Sequence, residues 1–118
     1  MLNILQDEIN NNLNNNLQNK FSSEYLSTLG GEVLRVKMGI LATHQKEHLS
    51  YLIKIYGQFN NINKALSDYV KLEKIKTSRT MGPLLLQNEA REKIVQLRSS
   101  CKKDIEKYLK KVSGQNSV

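Results

Sequence analysis

Leu2, Leu5, Ile9, Leu13 and Leu17 advance by steps of three and then four, the spacing that lines up one face of an amphipathic helix. Eight asparagines stand among them within the first twenty residues. Asparagine competes with the helical backbone for hydrogen bonds, so this helix is weak unless its stripe docks on something. Two readings stay open: a segment that folds on a target, or a plain one, the first helix of the same bundle or low-complexity drift.

Gly30-Gly31 interrupts the pattern, and Glu32 behind it suits the positive end of a new helix. Thr28 is followed three residues later by Gly31, so the reciprocal cap that a Glu or Gln would supply is missing. The apolar face then uses Leu34, Met38, Leu41, Leu49, Leu52 and Tyr56, and resumes after Gly57 with Phe59, Ile62, Leu66, Tyr69 and Val70. This is one long bent helix or two joined at Gly57. Lys76 to Gly82 has the composition of a connector, and Pro83 suits the first position of a helix, where its missing N–H costs nothing. The helix it opens carries Leu86, Ala90, Ile94, Leu97, Cys101, Ile105, Tyr108 and Val112, with Gly114 as the expected stop. From Ala90 to Val112 the stripe advances twenty-two positions in six steps, nearer the 3.6 of a straight helix than the 3.5 of a long coiled coil. At about 1.5 Å per residue that helix spans roughly 45 Å.

The expected fold is therefore all-α: an elongated helical hairpin or a three- to four-helix bundle with a long C-terminal helix. Residues 1–20 form its Asn-rich amphipathic N-terminal helix and residues 21–118 the bundle proper, within one domain. A length of 118 residues with one proline and no tryptophan agrees with a single helical core that needs no metal or disulfide. One cysteine, Cys101, points to a reducing compartment. With no apolar export or anchoring segment to read, the expected location is cytoplasmic, away from membranes.

Charge divides the chain. Residues 1–70 hold six basic and six acidic side chains, so the net +7 lies wholly in residues 71–118. A basic half of this kind meets nucleic acid or an acidic partner, though charge alone speaks to encounter and not to fold. On a helical wheel Arg91, Arg98 and Lys102 flank one side of the last apolar stripe, while Lys103, Lys107 and Lys110 lie around the far side.

One catalytic motif is spelled out: His44, Glu47 and His48 form H-x-x-E-H, the inverted zinc-protease signature. Three protein ligands are required, and only Glu89 or Glu92 could complete the set in a chain too short for a protease cleft. No phosphate loop and no nucleophile elbow accompany it. Cys101 lies on the apolar stripe, where it reads as a small buried hydrophobe. Neither an enzyme nor a cofactor is expected.

Leu34-Arg35-Val36-Lys37-Met38 alternates apolar and basic residues, as a β-ribbon would, and is followed by a helical stretch, Gly57 and another helical stretch. The order resembles ribbon-helix-helix DNA-binding proteins, and Gly57 to Lys64 resembles the glycine-asparagine stretch of plasmid mobilisation accessory proteins. That resemblance implies DNA contacts at Arg35 and Lys37, with Arg91, Arg98 and Lys102 as further basic candidates. The same residues 34–41 fit a helix equally well.

The C-terminal third, from Met81-Gly82 through Asn88-Glu89, Ile94, Leu97 and Asp104-Ile105-Glu106 to Lys111, resembles the last helix of small flagellar and type III export chaperones. Gln45 to Leu49 with Leu52 is similar to their hairpin region. The resemblance implies a cytosolic, non-enzymatic protein that holds an unstructured or helical partner segment on its C-terminal helix. Ala90, Ile94, Leu97, Cys101, Ile105 and Tyr108 are the nominated face. Helix-on-helix burial gives the same class without the resemblance, the occupant being a partner or a second copy of the chain.

Overall fold

A computed structural model describes residues 2–19, 21–22, 24–44, 46–75 and 81–116, with the side chains at 44, 75, 81–85 and 113–116 left out of the description. Five α-helices occur among them, and no strand: α1 (Leu2–Asn11), which runs on into a π-helical turn (Asn12–Asn16), α2 (Gly30–Val36), α3 (Met38–His44), α4 (Lys46–Ile75) and α5 (Met81–Asn116). The fold is all-α, as the periodicity predicts.

Two long helices make its spine. Gln58 hydrogen-bonds Asp104, and ten residues back along α4 His48 meets Tyr108. Partners therefore descend α4 as they climb α5, which makes the pair antiparallel. With α5 at 36 residues, about 54 Å at the usual rise, the molecule measures 60 × 27 × 18 Å. Gly57 does not break α4, which passes through it. The start of α5 at Met81 lies two residues before Pro83, and the helix continues past Gly114 to Asn116. The connector residues 76–80 lie outside the described residues.

The inward line of α5 differs from the stripe expected for it. The buried residues are Gln87, Ile94, Arg98, Cys101, Ile105 and Tyr108, and from Ile94 onward they step by four and three. That 3.5-residue repeat is the spacing of knobs-into-holes packing against one neighbour. Leu97 falls to the edge, half-buried, and Arg98 takes the seam.

α1 closes the third side. Gln6 reaches Tyr108 and Glu8 reaches Tyr56, while Phe21 packs edge-on against Tyr69, so the N-terminal segment runs parallel to α4. Its Leu5, Ile9, Leu13 and Leu17 are buried in the same cluster as Leu52, Phe59, Ile62 and Ile105. Each such side chain contributes roughly 1.5–3 kcal/mol before ordering costs. Of the two readings of this helix, the structure has the first helix of the bundle. Its π turn carries a five-residue bond from Leu17 N–H to the Asn12 carbonyl at 2.9 Å, and the wider turn lets adjacent Asn12 and Leu13 both face inward.

Residues 34–41 are helical, not a ribbon. A strand would put Leu34, Val36 and Met38 on one face, yet Leu34 and Leu41 are buried while Val36 and Met38 are exposed, the seven-residue return of a helix. Lys37 marks the joint between α2 and α3, and its N–H still donates to the Val33 carbonyl at 2.9 Å.

Candidate functional site

The segment between α1 and α2 is tied down by three side chains that mimic backbone. Asn12 accepts from Ser27 N–H at 3.0 Å and donates to the Ser27 carbonyl at 2.8 Å. Asn63 on α4 does the same for Leu26, at 2.8 and 3.0 Å. Glu8 takes Ser27 Oγ at 2.7 Å on one oxygen, and Gly30 N–H at 2.8 Å and the Tyr56 hydroxyl at 2.7 Å on the other. Glu8 thus supplies from α1 the cap that Thr28 and Gly31 do not, and its negative charge suits the first turn of α2. Burial and the adjacent carboxylate raise the Tyr56 pKa, so its hydroxyl stays a donor.

Held there, α2 and α3 stand off the outer face of α4 and leave a groove of about 600 Å³. Its rim carries Leu29, 83% exposed, with Met38 and Ile53 also outward. Ile53, Gly57 and Asn60 succeed one another along its α4 wall at steps of four and three, one helical stripe. A Cβ placed on Gly57 would meet nothing within 4 Å. Arg35 lines the groove too, its charge matched by Glu32 at 2.9 Å.

The nominated face of α5 is placed differently. Ile94, Cys101, Ile105 and Tyr108 are buried in the chain's own core, Leu97 is partly buried against it, and Ala90 is half-buried. The ridge expected to meet a partner is covered by α1 and α4, because the stripe of α1 needed the same surface. Cys101 is sealed, and burial with Asp104 nearby pushes its thiol up to about 12, far from a nucleophile's range.

The five basic candidates do not share one site. Arg35 and Lys37 are exposed at α2 and the joint behind it, which removes the ribbon that would have presented them. Arg91 lies over the Phe21 ring at 4.5 Å. Arg98 is 1% exposed, so it is no surface contact for DNA. Lys102, half-buried, lines a cavity with it.

His48 shares a 2.9 Å hydrogen bond between its Nδ1 and the Tyr108 hydroxyl, to which Gln6 also donates at 3.2 Å. The imidazole therefore ties α4 to α5. The side chain of His44 lies outside the described residues, and among those described no three His, Cys, Asp or Glu cluster as a metal site would require.

The class defined so far is an all-α protein built on a long antiparallel helical hairpin. Comparisons with protein-family models, curated proteins and solved structures find no match to this chain. Among the described residues no helix is long and apolar enough to cross a membrane.

Proposed function

We propose that the chain is a non-enzymatic protein-binding module that receives an amphipathic helix of a partner protein in the groove between α2–α3 and α4. The observation that carries this reading is the exposed apolar rim of Leu29, Met38 and Ile53 around the bare backbone at Gly57. Large apolar side chains facing water around a concave surface mark an interaction site. A glycine on the α4 wall lets a second helix approach more closely than any side chain would allow. An apolar stripe on the incoming helix matches the rim, and the pairing of Arg35 with Glu32 leaves the groove lining without net charge. The reading keeps the kind of function implied by the resemblance to export chaperones and moves the surface from α5 to α4.

The test is affinity capture from native host cells with the intact chain, alongside Leu29→Asp and Gly57→Leu, each verified by circular dichroism. The reading expects one partner protein bound by the wild type and lost with both variants. Retention of the same partner by both folded variants refutes the groove. A nuclease-sensitive partner, with duplex affinity falling steeply as salt rises, would replace this reading with nucleic-acid binding.

A further inference from the structure

One apolar side chain facing water needs no explanation, but a cluster does. Among the described residues eight large hydrophobics face outward, and four of them, Leu29, Val36, Met38 and Ile40, belong to α2, α3 and the residue that leads into them. Ile53 makes a fifth on the α4 wall of the groove. The excess charge lies elsewhere, since residues 71–118 hold the whole +7. Of the residues lining the groove only Glu32 and Arg35 carry charge, one of each sign. Two copies of so basic a chain repel one another over α5 and meet here without net repulsion.

The order of residues along this arm is self-complementary. About the midpoint between Val33 and Leu34, Leu29 stands as far on one side as Met38 on the other, Gly31 as far as Val36, and Glu32 as far as Arg35. A two-fold axis through that midpoint lays α2 antiparallel to its copy, and each residue meets the one equally distant from the centre. Apolar then meets apolar, and acid meets base. Val36 meets a residue without a side chain, at a place where a Cβ would touch only Tyr56 Cδ1, at 3.8 Å. Within one chain Glu32 and Arg35 pair at 2.9 Å, both largely exposed. The axis lets the same residues form two pairs between copies, shielded by the apolar contacts beside them.

We propose that two copies of the chain cover each other's groove across this axis, so that self-association withholds the groove from any other partner. The inference rests on the groove being a docking surface, and it names what covers that surface in the isolated protein. Every contact occurs twice across a two-fold axis, so one substitution perturbs the dimer at two places.

Sedimentation velocity of the intact chain from about 1 μM to about 1 mM tests it, with circular dichroism on each variant. A reversible dimer is expected. Val36→Asp, at an exposed position outside the groove lining, should raise its dissociation constant roughly a hundredfold, about tenfold for each copy. Glu32→Arg and Arg35→Glu each set like charges against one another across the axis and should each remain largely monomeric. Mixed in equal amounts, the two variants should form a heterodimer, because every pair across the axis is again of opposite sign. A wild-type chain that is monomeric throughout overturns the inference and leaves the groove reading standing on its own capture experiment. A mixture that stays monomeric, or a dimer that Val36→Asp leaves unchanged, overturns it too. Val36→Asp should capture at least as much host partner as the wild type, and a folded variant that loses the partner refutes the masking. A dimer with these properties but no captured partner supports the two-fold axis and removes the partner reading instead.

Discussion

The same substitution at two glycines should move stability in opposite directions. Gly57 is interior to α4, and a Cβ there meets nothing within 4 Å. Gly57→Ala therefore removes only the helix penalty of glycine and should stabilise the chain by about 1 kcal/mol. Gly30 opens α2, where little helix propensity is at stake, and no described non-glycine residue or glycine has a positive φ. Its glycine answers a close approach instead. A Cβ there would stand 2.4 Å from the Tyr56 hydroxyl, 2.8 Å from Leu5 Cδ2 and 2.9 Å from Glu8 Oε1.

Those neighbours cannot all yield. The Tyr56 hydroxyl is the end of a stiff ring, itself packed edge-on against Phe59 with centroids 5.3 Å apart, and Leu5 is fully buried. Making room costs about 1–3 kcal/mol of overpacking. Displacing the hydroxyl or the carboxylate also breaks bonds that Glu8 makes to Tyr56 and to Gly30 N–H, each worth roughly 1 kcal/mol or more with a charged acceptor. Gly30→Ala should thus lose about 2–4 kcal/mol and separate from Gly57→Ala by roughly 3–5 kcal/mol. Urea denaturation at constant m-value measures both. A Gly30→Ala chain within about 0.5 kcal/mol of wild type, the spread of inert surface changes, refutes the close-approach argument. A destabilised Gly57→Ala refutes the claim that α4 is open there.

Two asparagines in one segment should also differ. Asn12→Ala orphans both backbone groups of Ser27 and should cost about 2–4 kcal/mol, whereas Asn14→Ala, at an exposed position, should be neutral or gain up to about 0.5 kcal/mol from propensity; equal effects in denaturant titrations would make Asn12 just another asparagine. Cys101 predicts a pH slope. Its thiol ionises near 9.0 when unfolded and near 12 in the fold, so the unfolded chain loses its proton first. The contribution is present below pH 9 and is lost as pH rises toward 12, at up to about 1.4 kcal/mol per pH unit. Cys101→Ala should flatten that part of the stability curve relative to wild type, and the native thiol should react with a disulfide reagent only as fast as the chain unfolds.

The helices were legible because burial demands a period. In α4 and α5 the apolar residues recur at helical spacing over many turns, and Gly82-Pro83 marks the first turn of α5. What the spacing hid was which polar residues share the buried side. Arg98 reads as a flank of the stripe Ala90–Ile94–Leu97–Cys101, yet the seam runs Ile94–Arg98–Cys101–Ile105. The four-three alternation through Arg98 was visible, but a charged residue in it argues against a core position until the carbonyls of Asn16 and Asn19 are known to lie opposite. Asn12 was likewise counted among weak helix formers, because a side chain that mimics backbone can be recognised only once Ser27 stands beside it. Asn63 and Leu26 are thirty-seven residues apart, and no local pattern links them. The groove followed the same rule: Leu29 and Ile53 gain meaning from lining one concave surface.

These hidden contacts share one task, which relates the N-terminal helix to the groove on α4. The stripe of α1 supplies the burial that holds it against α4 and α5, but an apolar stripe tolerates sliding along its neighbours. Directional bonds remove that freedom. At one end Glu8 meets Tyr56 and Gly30 N–H; in the middle Asn12 grips Ser27; at the other end Arg98 holds the last carbonyls. Glu8 therefore sets where α2 begins, and with it the far wall of the apolar groove. Arg98 holds the chain where the π turn ends and just beyond it, at the carbonyls of Asn16 and Asn19. An asparagine-rich helix that is weak alone becomes, once pinned at three points, the element that shapes the groove, and its polar residues specify position where its leucines supply affinity.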